Sequence, residues 1–269
     1  MKSACLFLVL LGCSGSAESA SETENAEPEA EPEATEAAEP DSPADALARE
    51  LWRSAGGERL DEVAQIDFRF VVTDDGEPVF EAAHRWDRRN GRDRISWTNR
   101  QGELNDAVVM LATKRGCGHV DGRPVDGDPL VALAQSAYGR WVNDAYWLMV
   151  PLKVLDPGVS RRVLEPEGET RRLELTFDSV GLTPGDRYVL EVDPEGRLTR
   201  WEMALEGAEP GDEPKGVTFE GHTAVGPLTL PLEHTAEGEG NRQVLLRDVT
   251  VHETVQDDAF VIRGCPENG

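Results

Sequence analysis

The sequence predicts a mainly β fold with some helix (α+β), in which a large curved antiparallel sheet forms a half-open barrel with a helical lid. Three observations support this fold class. Short segments in which apolar and polar residues alternate follow one another along most of the chain. Asp-Gly and Asn-Gly pairs, which favour tight hairpin turns, separate several of these segments. Only two segments have the apolar spacing of a helix, so they are the available covers for one face of the sheet.

The N-terminal part of the 269-residue chain differs in composition from the rest. The apolar run Ala4–Leu11 is too short to span a bilayer as a helix, so residues 1–12 are predicted to be a secretory signal. Between Ser14 and Ala44 there are ten acidic residues, no Lys or Arg, and repeated Glu-Pro and Ala units. Such a segment cannot bury an apolar face, so residues 13–44 are predicted to be a disordered tether. The folded domain is expected to cover residues 45–265.

The end of the apolar run, Leu10-Leu11-Gly12-Cys13, resembles the lipobox of bacterial lipoproteins. The resemblance implies that Cys13 is diacylated, that the signal is removed, and that the new amino terminus is acylated, which makes a firm membrane anchor. Ser14 follows Cys13, and the lack of Asp there resembles lipoproteins sent on to the outer membrane. An ordinary cleaved signal, which would leave a soluble periplasmic protein, is the alternative. We therefore expect an outer-membrane lipoprotein that faces the periplasm.

The net charge of −25 is unfavourable for two classes of partner. Nucleic acids and anionic lipid surfaces both attract proteins with a basic surface, and the chain remains acidic even without its tether. Contact with the membrane is therefore expected through the lipid anchor alone. The expected ligand is a lipid or an acylated protein, and the chain itself is expected to be a monomer.

Two cysteines remain after the signal and the lipid site are set aside. Cys117 and Cys265 lie in a compartment that permits disulfides, and pairing them would close a loop of about 148 residues. Two buried free thiols are the alternative. The sequence leaves the choice open, because pairing requires the two α-carbons to come within bridging distance.

A first helix is predicted to begin near Ser42, because Ser42 can cap it and Pro43 suits the first helical position. Its apolar stripe includes Leu47 and Leu51, and Gly56-Gly57 ends it. The alternation that follows predicts half-buried antiparallel strands. These predicted strands are residues 65–72, 79–86, 94–98, 106–114, 117–125, 173–177, 188–192, 198–205, 217–223, 232–235, 243–255 and 260–263.

The long apolar segment Asp128–Gly158 is predicted to lie across the sheet as its lid. Asp128 as a cap and Pro129 as the next residue predict a helix start, and a denser apolar cluster follows Asn143-Asp144. Asn143-Asp144 is interpreted as a turn between these two parts rather than as a contact for a polar head group. The cluster either fills an ordinary core or covers a gap that takes an apolar ligand such as an acyl chain. The residues predicted to line that gap are Trp97, Trp141, Tyr146, Trp147, Met149, Trp201 and Met203.

No catalytic or metal-binding motif is present in the sequence. The chain has no Gly-x-Ser-x-Gly elbow, no phosphate loop, no dinucleotide fingerprint and no cysteine pair at metal-ligand spacing. His119 with Asp121 is the nearest approach to a metal-binding group, and it is interpreted as an exposed hairpin pair. We therefore predict no enzymatic activity, no metal and no cofactor. The five histidines occur singly, at His84, His119, His222, His234 and His252.

The central segment and a later hairpin also resemble an uncharacterised family of bacterial envelope proteins. The residues that carry the resemblance are Asn143–Leu148, Pro151, Asp156–Gly158, Val180–Tyr188 and Trp201-Glu202. That family is similar in architecture to the lipoprotein-localisation carriers LolA and LolB and to the mycobacterial lipid-carrying lipoproteins. Over roughly Leu47 to Val255, the resemblance implies an unclosed β-barrel with a helical lid and an apolar cavity. It carries over no catalytic residue, and Cys117 and Cys265 are not part of it.

These observations lead to one functional expectation and one alternative. We expect a membrane-anchored periplasmic lipoprotein that binds or carries a lipid or acyl ligand in the apolar cavity of a half-barrel. The alternative is a non-enzymatic interaction or scaffold module of the cell envelope whose core is filled by its own side chains.

Overall fold

A single antiparallel sheet of 13 strands dominates the computed structural model of the protein. The structure describes residues 42–177, 185–205, 214–238 and 240–265. The strands are β1 (Gln65–Asp74), β2 (Glu77–Asp87), β3 (Arg92–Thr98), β4 (Leu104–Met110), β5 (Arg115–Val120), β6 (Arg123–Pro124), β7 (Val159–Glu167), β8 (Thr170–Phe177), β9 (Arg187–Val192), β10 (Leu198–Ala204), β11 (Lys215–Val225), β12 (Leu228–Ala236) and β13 (Gln243–His252).

Two α-helices accompany the sheet in the described residues: α1 (Pro43–Ser54) and α2 (Gly127–Lys153). Short 3₁₀ helices lie at Gly57–Glu62 and Asp257–Phe260. The predicted signal, Cys13 and nearly all of the predicted tether lie outside the described residues, as do residues 180–184 of the family resemblance.

The strand order explains why α2 lies over the sheet. The order is β6-β5-β4-β3-β2-β1-β13-β12-β11-β10-β9-β8-β7, so each pair of neighbours is consecutive in the chain except β1 and β13. The segment that joins β6 to β7 must therefore connect the two edges of the sheet. Most of this segment is α2, whose 27 residues reach about 40 Å. The sheet is curved and does not close within the described residues, which confirms the predicted half-open barrel with a helical lid.

Strand β1 illustrates how alternation decides which face is covered. Ile66, Phe68 and Phe70 are buried, as the pattern predicts. On the opposite face, Arg69 donates hydrogen bonds to Glu81 of β2 and Asp248 of β13. The covered face is therefore apolar, and ion pairs link neighbouring strands on the other face.

Helix α1 begins and ends as its sequence predicts. The Ser42 hydroxyl accepts a hydrogen bond from the Asp45 backbone N–H at 3.1 Å, and Gly56 ends the helix with a φ of 85°. A Cβ on Gly56 would lie 2.4 Å from the Pro227 carbonyl oxygen, so a side chain has no room there. Helix α1 begins at Pro43, next to the predicted boundary of the folded domain at residue 45.

The structure corrects the predicted form of the central segment. Asp126, not Asp128, is the N-cap residue of α2, and its side chain makes no capping hydrogen bond. The helix continues through Asn143-Asp144, where a turn was predicted, and the residues that follow belong to the same helix. It ends beyond Pro151, so this apolar cluster is helical rather than irregular.

Some strand predictions were also wrong. Strand β7 was not predicted. Residues 260–263 were predicted to be a strand, but Phe260 ends a 3₁₀ helix and the residues after it pair with no strand. The strand predicted at 106–114 ends at Met110, and the one at 117–125 divides into β5 and β6. The other predicted strands are present with bounds that differ by a few residues.

A disulfide joins Cys117 on β5 to Cys265, with the two α-carbons 5.9 Å apart. This separation lies within the usual range for disulfides. The bridge holds the C-terminal segment against the β5 side of the sheet, where Phe260 and Ile262 are buried. None of the helices in the described residues is long and apolar enough to cross a membrane.

Candidate binding interface beneath helix α2

The inward face of α2 contacts strands from both halves of the sheet. Its buried residues recur at helical spacing, as Leu133, Ala137, Asp144 and Trp147 do. The helix contacts β3, β4 and β5 on one side and β12 on the other. We call this surface between α2 and the sheet the roof interface, and it has three parts.

The first part, which we call the Trp97 cluster, lies under the N-terminal half of α2. Leu133 and Ala137 of α2 pack there on inward residues of β2, β3 and β4, and Phe80 and Tyr138 lie at its margin. A Cβ on Gly118 of β5 would lie 2.8 Å from the Leu133 side chain, which shows how closely the helix approaches this strand. The buried members of the Trp97 cluster are Ala82, Ile95, Trp97, Ala107, Val109, Leu133 and Ala137.

Trp141 lies beside this cluster rather than in it. Its ring packs edge to face on Trp86 at 5.6 Å and in a tilted contact on Tyr138 at 5.8 Å. Its indole Nε1 is buried and has no hydrogen-bond partner among the described residues. A buried indole N–H is normally hydrogen-bonded.

The second part, which we call the Trp201 cluster, lies under the C-terminal half of α2. Trp147 lies 4.8 Å from Trp201 and 6.3 Å from Phe219 between ring centroids, and Tyr146 lies 6.0 Å from Trp201. Burial raises the pKa of Tyr146, so its phenol stays neutral. The members of the Trp201 cluster are Tyr146, Trp147, Phe177, Tyr188, Trp201, Phe219 and His234.

The third part is the His84 network. Its residue on α2 is Asp144, which lies between the α2 residues of the two clusters. His84 Nδ1 is 2.8 Å from Asp93 Oδ2, and His84 Nε2 is 3.1 Å from Asp144 Oδ2. These residues belong to β2, β3 and α2, so the network joins the helix to two strands. The ring of Phe68 stacks on His84 at 4.5 Å with an interplanar angle of 3°. All three side chains of the network are almost completely shielded from solvent.

The carboxylates decide the charge of His84. Burial by itself lowers the pKa of His84, but the charges and hydrogen bonds of Asp93 and Asp144 outweigh it and raise the pKa to about 9. The imidazole is therefore protonated at neutral pH, and both of its nitrogens donate. Burial raises the pKa of Asp93, and the charge of His84 opposes that rise. The network is a buried ion pair that attaches α2 to the sheet.

His234 in the Trp201 cluster has the opposite environment. Its ring lies 4.4 Å from Phe219 and 5.5 Å from Trp147, and neither of its nitrogens has a hydrogen-bond partner among the described residues. Burial lowers the pKa of His234 to about 3, and the nearby His222 adds to this effect. His234 is therefore neutral at physiological pH.

The structure distributes the predicted ligand residues over the roof interface rather than around one pocket. Trp97 lies in the first cluster, Trp141 lies beside it, and Tyr146, Trp147 and Trp201 meet in the second. Met203 is buried on β10, two residues beyond Trp201.

Met149 is buried on another face of α2. Two helical residues turn through about 200°, so Met149 points away from the direction of Trp147. The two residues therefore do not line the same wall of a site.

Asn143 and Asp144 are not a turn, because both lie inside the helix. Asn143 is exposed and donates from Nδ2 to the Asp144 carboxylate at 2.8 Å. No sequence motif groups His84 and Asp93 with Asp144, which is far from them in the chain. The signal was present in β2, where alternation with Ala82 and Trp86 places His84 on the covered face. A histidine on such a face usually has a hydrogen-bond partner.

A cavity of about 540 Å³ opens at the surface beside β10, β11 and β12, away from the residues of α2. Its lining is largely polar and includes Arg200, Glu202 and Glu237, which are joined by hydrogen bonds. Within the described ranges no group of three His, Cys, Asp or Glu side chains is arranged to hold a metal ion.

No family model and no curated protein matches this chain. Solved structures with a similar sheet were found. A DUF1329 family protein from Desulfovibrio piger is 14% identical, covers 82% of this chain and 98% of its own, and has a TM-score of 0.44. The lipoprotein LppX of Mycobacterium tuberculosis is 12% identical, with 78% and 97% covered and a TM-score of 0.29. MucB is 11% identical, with 82% of this chain and 64% of MucB covered and a TM-score of 0.24.

All of these TM-scores are below 0.5 and all of the identities are below 15%. The likenesses therefore carry no function to this chain.

Proposed function

We propose that this protein is a non-enzymatic lipoprotein of the bacterial cell envelope that binds an acyl chain in the roof interface. The acyl chain enters when α2 moves away from the sheet. Cys13 carries the lipid anchor in the outer membrane, the domain faces the periplasm, and the acidic tether lets it reach its ligand. The ligand is a lipid or the acyl group of another protein.

One observation carries this proposal: the roof interface combines aromatic rings with buried polar atoms that lack partners. Trp141 Nε1, Trp201 Nε1 and both ring nitrogens of His234 have no hydrogen-bond partner among the described residues. Each such atom costs about 1–3 kcal/mol when it stays unsatisfied, so a ligand that supplied its hydrogen bond would gain affinity. Ester or carboxyl oxygens of an acyl ligand would accept hydrogen bonds from the indole N–H groups.

Glycines at both ends of α2 support a movement of this helix. Gly127 begins the helix with a φ of 57°, and Gly158 follows its end with a φ of 80°. Glycine adopts these left-handed conformations and their alternatives with little strain. A Cβ on Gly127 would contact nothing within 4 Å, so the chain has space to rotate there. Backbone rotation at Gly127 and Gly158 would let α2 move as a rigid body.

The full chain with Cys13→Ser, purified without its acyl groups, tests the proposal. We expect lipid extraction and mass spectrometry to recover a bound lipid, and we expect a fluorescent fatty acid to bind at micromolar concentration. Absence of both would refute the proposal.

Trp201→Phe distinguishes a ligand contact from a packing role. This substitution removes the unpartnered Nε1 and retains a smaller aromatic ring, so we expect the stability to fall by about 1–2 kcal/mol, which leaves the chain folded, while fatty-acid binding weakens several-fold. Trp52→Phe on α1, outside the roof interface, is the matched control and should change neither quantity. If the Trp201→Phe variant and the unchanged chain bound the fatty acid equally well, Trp201 would not be a ligand contact.

The close ring contacts favour a second candidate, a scaffold or interaction module with a filled core. Trp147 and Trp201 are 4% and 1% exposed and lie in direct contact, as side chains of an ordinary core do. Under this alternative, envelope proteins copurify with the chain and no lipid is extracted from it.

A further inference from the structure

Arg140 of α2 differs from most arginines of this acidic protein because no carboxylate holds its guanidinium. The group is partly buried, and within the described ranges it makes no hydrogen bond and no ion pair. Its guanidinium carbon lies 4.3 Å from the ring centroid of Phe80 and 5.2 Å from that of Trp97. In contrast, Arg94 donates to Asp106 and Arg171 donates to Glu50.

The His84 network explains why Arg140 has no carboxylate. Asp144 lies four residues further along α2, which is the usual spacing for an ion pair with Arg140. Both oxygens of Asp144 are already engaged, one with His84 Nε2 and the other with Asn143 Nδ2. The Asp144 charge still acts on Arg140 at a distance, but the Asp144 carboxylate faces His84 and Asn143 and makes its hydrogen bonds with them. The N–H groups of Arg140 are therefore available to another acceptor.

A second cation, Arg100, lies in the turn after β3, three residues beyond Trp97, whose ring Arg140 contacts. Burial lowers the pKa of Arg140, Asp144 opposes the shift, and the positive charge of Arg100 adds to it. Arg100 is exposed in the turn between β3 and β4 and has no carboxylate partner among the described residues. Two neighbouring cations without a bound counter-charge repel each other, and an anion between them would relieve that repulsion.

We propose that Arg140 and Arg100 bind the anionic head group, a phosphate or a carboxylate, of the amphiphile whose acyl chain occupies the roof interface. Cation–π contacts with Phe80 and Trp97 hold the guanidinium in place, and its N–H donors are left for a bidentate contact with two oxygens. Phe80 also offers an apolar surface to the first carbons of the chain. This inference rests on the proposed function, and it specifies the chemical class of the ligand.

The test compares three probes by calorimetry with the full chain carrying Cys13→Ser, at concentrations below the onset of micelles. The probes are dodecyl phosphate, dodecanol and inorganic phosphate. We expect dodecyl phosphate to bind at least 10-fold more tightly than dodecanol, and we expect added salt to reduce that preference. Arg140→Met removes the charge and keeps an apolar stem, so it should abolish the preference for dodecyl phosphate over dodecanol.

Two further variants separate head-group binding from folding. Arg100→Gln changes an exposed turn residue and should reduce the preference several-fold without lowering the melting temperature. Arg53→Gln removes the same charge from α1, where Arg53 is exposed and pairs with Glu58, and it should leave the preference intact.

Each outcome decides a different point. Equal binding of dodecyl phosphate and dodecanol, or a preference that survives Arg140→Met, would overturn the head-group inference and leave the acyl-binding proposal standing. Binding of inorganic phosphate that depends on Arg140, with no binding of either dodecyl probe, would retain the anion site and overturn the acyl-binding proposal. Failure of all three probes would overturn both.

Discussion

Two buried histidines in the same interface differ completely in charge. His84 and His234 are 2% and 1% exposed, yet the pKa of the first is about 9 and that of the second is about 3. Burial lowers the pKa of both. His84 has a carboxylate at each nitrogen, whereas the nearest groups around His234 are aromatic rings. The difference shows that the partners, and not the depth of burial, decide whether a core histidine is charged.

The two histidines also represent two ways in which α2 is attached to the sheet. Asp144 of α2 contacts His84, and Trp147, one turn later, contacts His234. The first contact is a buried ion pair, which is costly when one member is lost. The second is aromatic packing, which depends less on any single polar group. Removal of either histidine should therefore have unequal effects.

His84→Leu should have the largest effect on stability. It leaves Asp93 and Asp144 buried without their common cation, so we expect a loss of about 4 kcal/mol in the free energy of unfolding. Urea unfolding followed by tryptophan fluorescence measures this loss. A loss below about 1 kcal/mol would show that the network contributes nothing to holding α2.

Loss of the disulfide should come next. The bridge between Cys117 and Cys265 closes a loop with a sequence separation of 148 residues, so replacement of both by Ala should cost about 3 kcal/mol. Because Cys117 lies on β5, hydrogen exchange should accelerate in β3–β5, on the His84 side, more than in β10–β12. Uniform acceleration would show that the two sides unfold together.

The pH dependence of stability should show opposite slopes for the two histidines. The folded pKa of His84 is raised from 6.5 to about 9, so its contribution is complete below pH 6.5 and is lost as the pH rises through 9. The folded pKa of His234 is lowered from 6.5 to about 3, so stability is lost as the pH falls below 6.5. Each effect amounts to about 2 kcal/mol over the two pH units next to neutrality.

Urea titrations between pH 5 and pH 9 check these slopes. His84→Leu should remove the alkaline loss and His234→Leu should remove the acid loss. If both variants kept the slopes of the unchanged chain, other groups would be responsible for them.

His234→Leu at neutral pH should have the smallest effect. The neutral ring makes no hydrogen bond that leucine would lose, so we expect a change within about 1 kcal/mol, on the stabilising side. The measurement is the urea midpoint at pH 7.5. A loss above about 2 kcal/mol would mean that the ring has polar partners in solution, and the comparison with His84 would need revision.

Local sequence signals predicted much of the fold. The cap at Ser42, the alternation of β1 and the Asp-Gly and Asn-Gly turns each involve residues that are close together in the chain, and all were confirmed. Strand β7 was missed because it lies at the edge of the sheet and is mostly exposed, so its residues do not alternate between apolar and polar. Edge strands lack the burial that produces that pattern.

The roof interface was less accessible to sequence reasoning. Asn143-Asp144 suggested a break because both residue types favour caps and turns over helix interiors. A hydrogen bond to His84, 60 positions earlier in the chain, compensates for that preference and keeps Asp144 inside the helix. The sequence shows that Trp147 and Trp201 are aromatic, but their contact depends on the strand order, which the sequence does not reveal.

The open sheet also has a consequence for self-association. Its outermost strands within the described residues are β6, which is two residues long and includes Pro124, and β7, which carries Arg161, Arg162 and Pro166. Proline cannot donate to a further strand, and charged side chains on an edge strand oppose its burial against another copy. A sheet of this width can thus keep both margins exposed at high protein concentration without joining other copies into fibres.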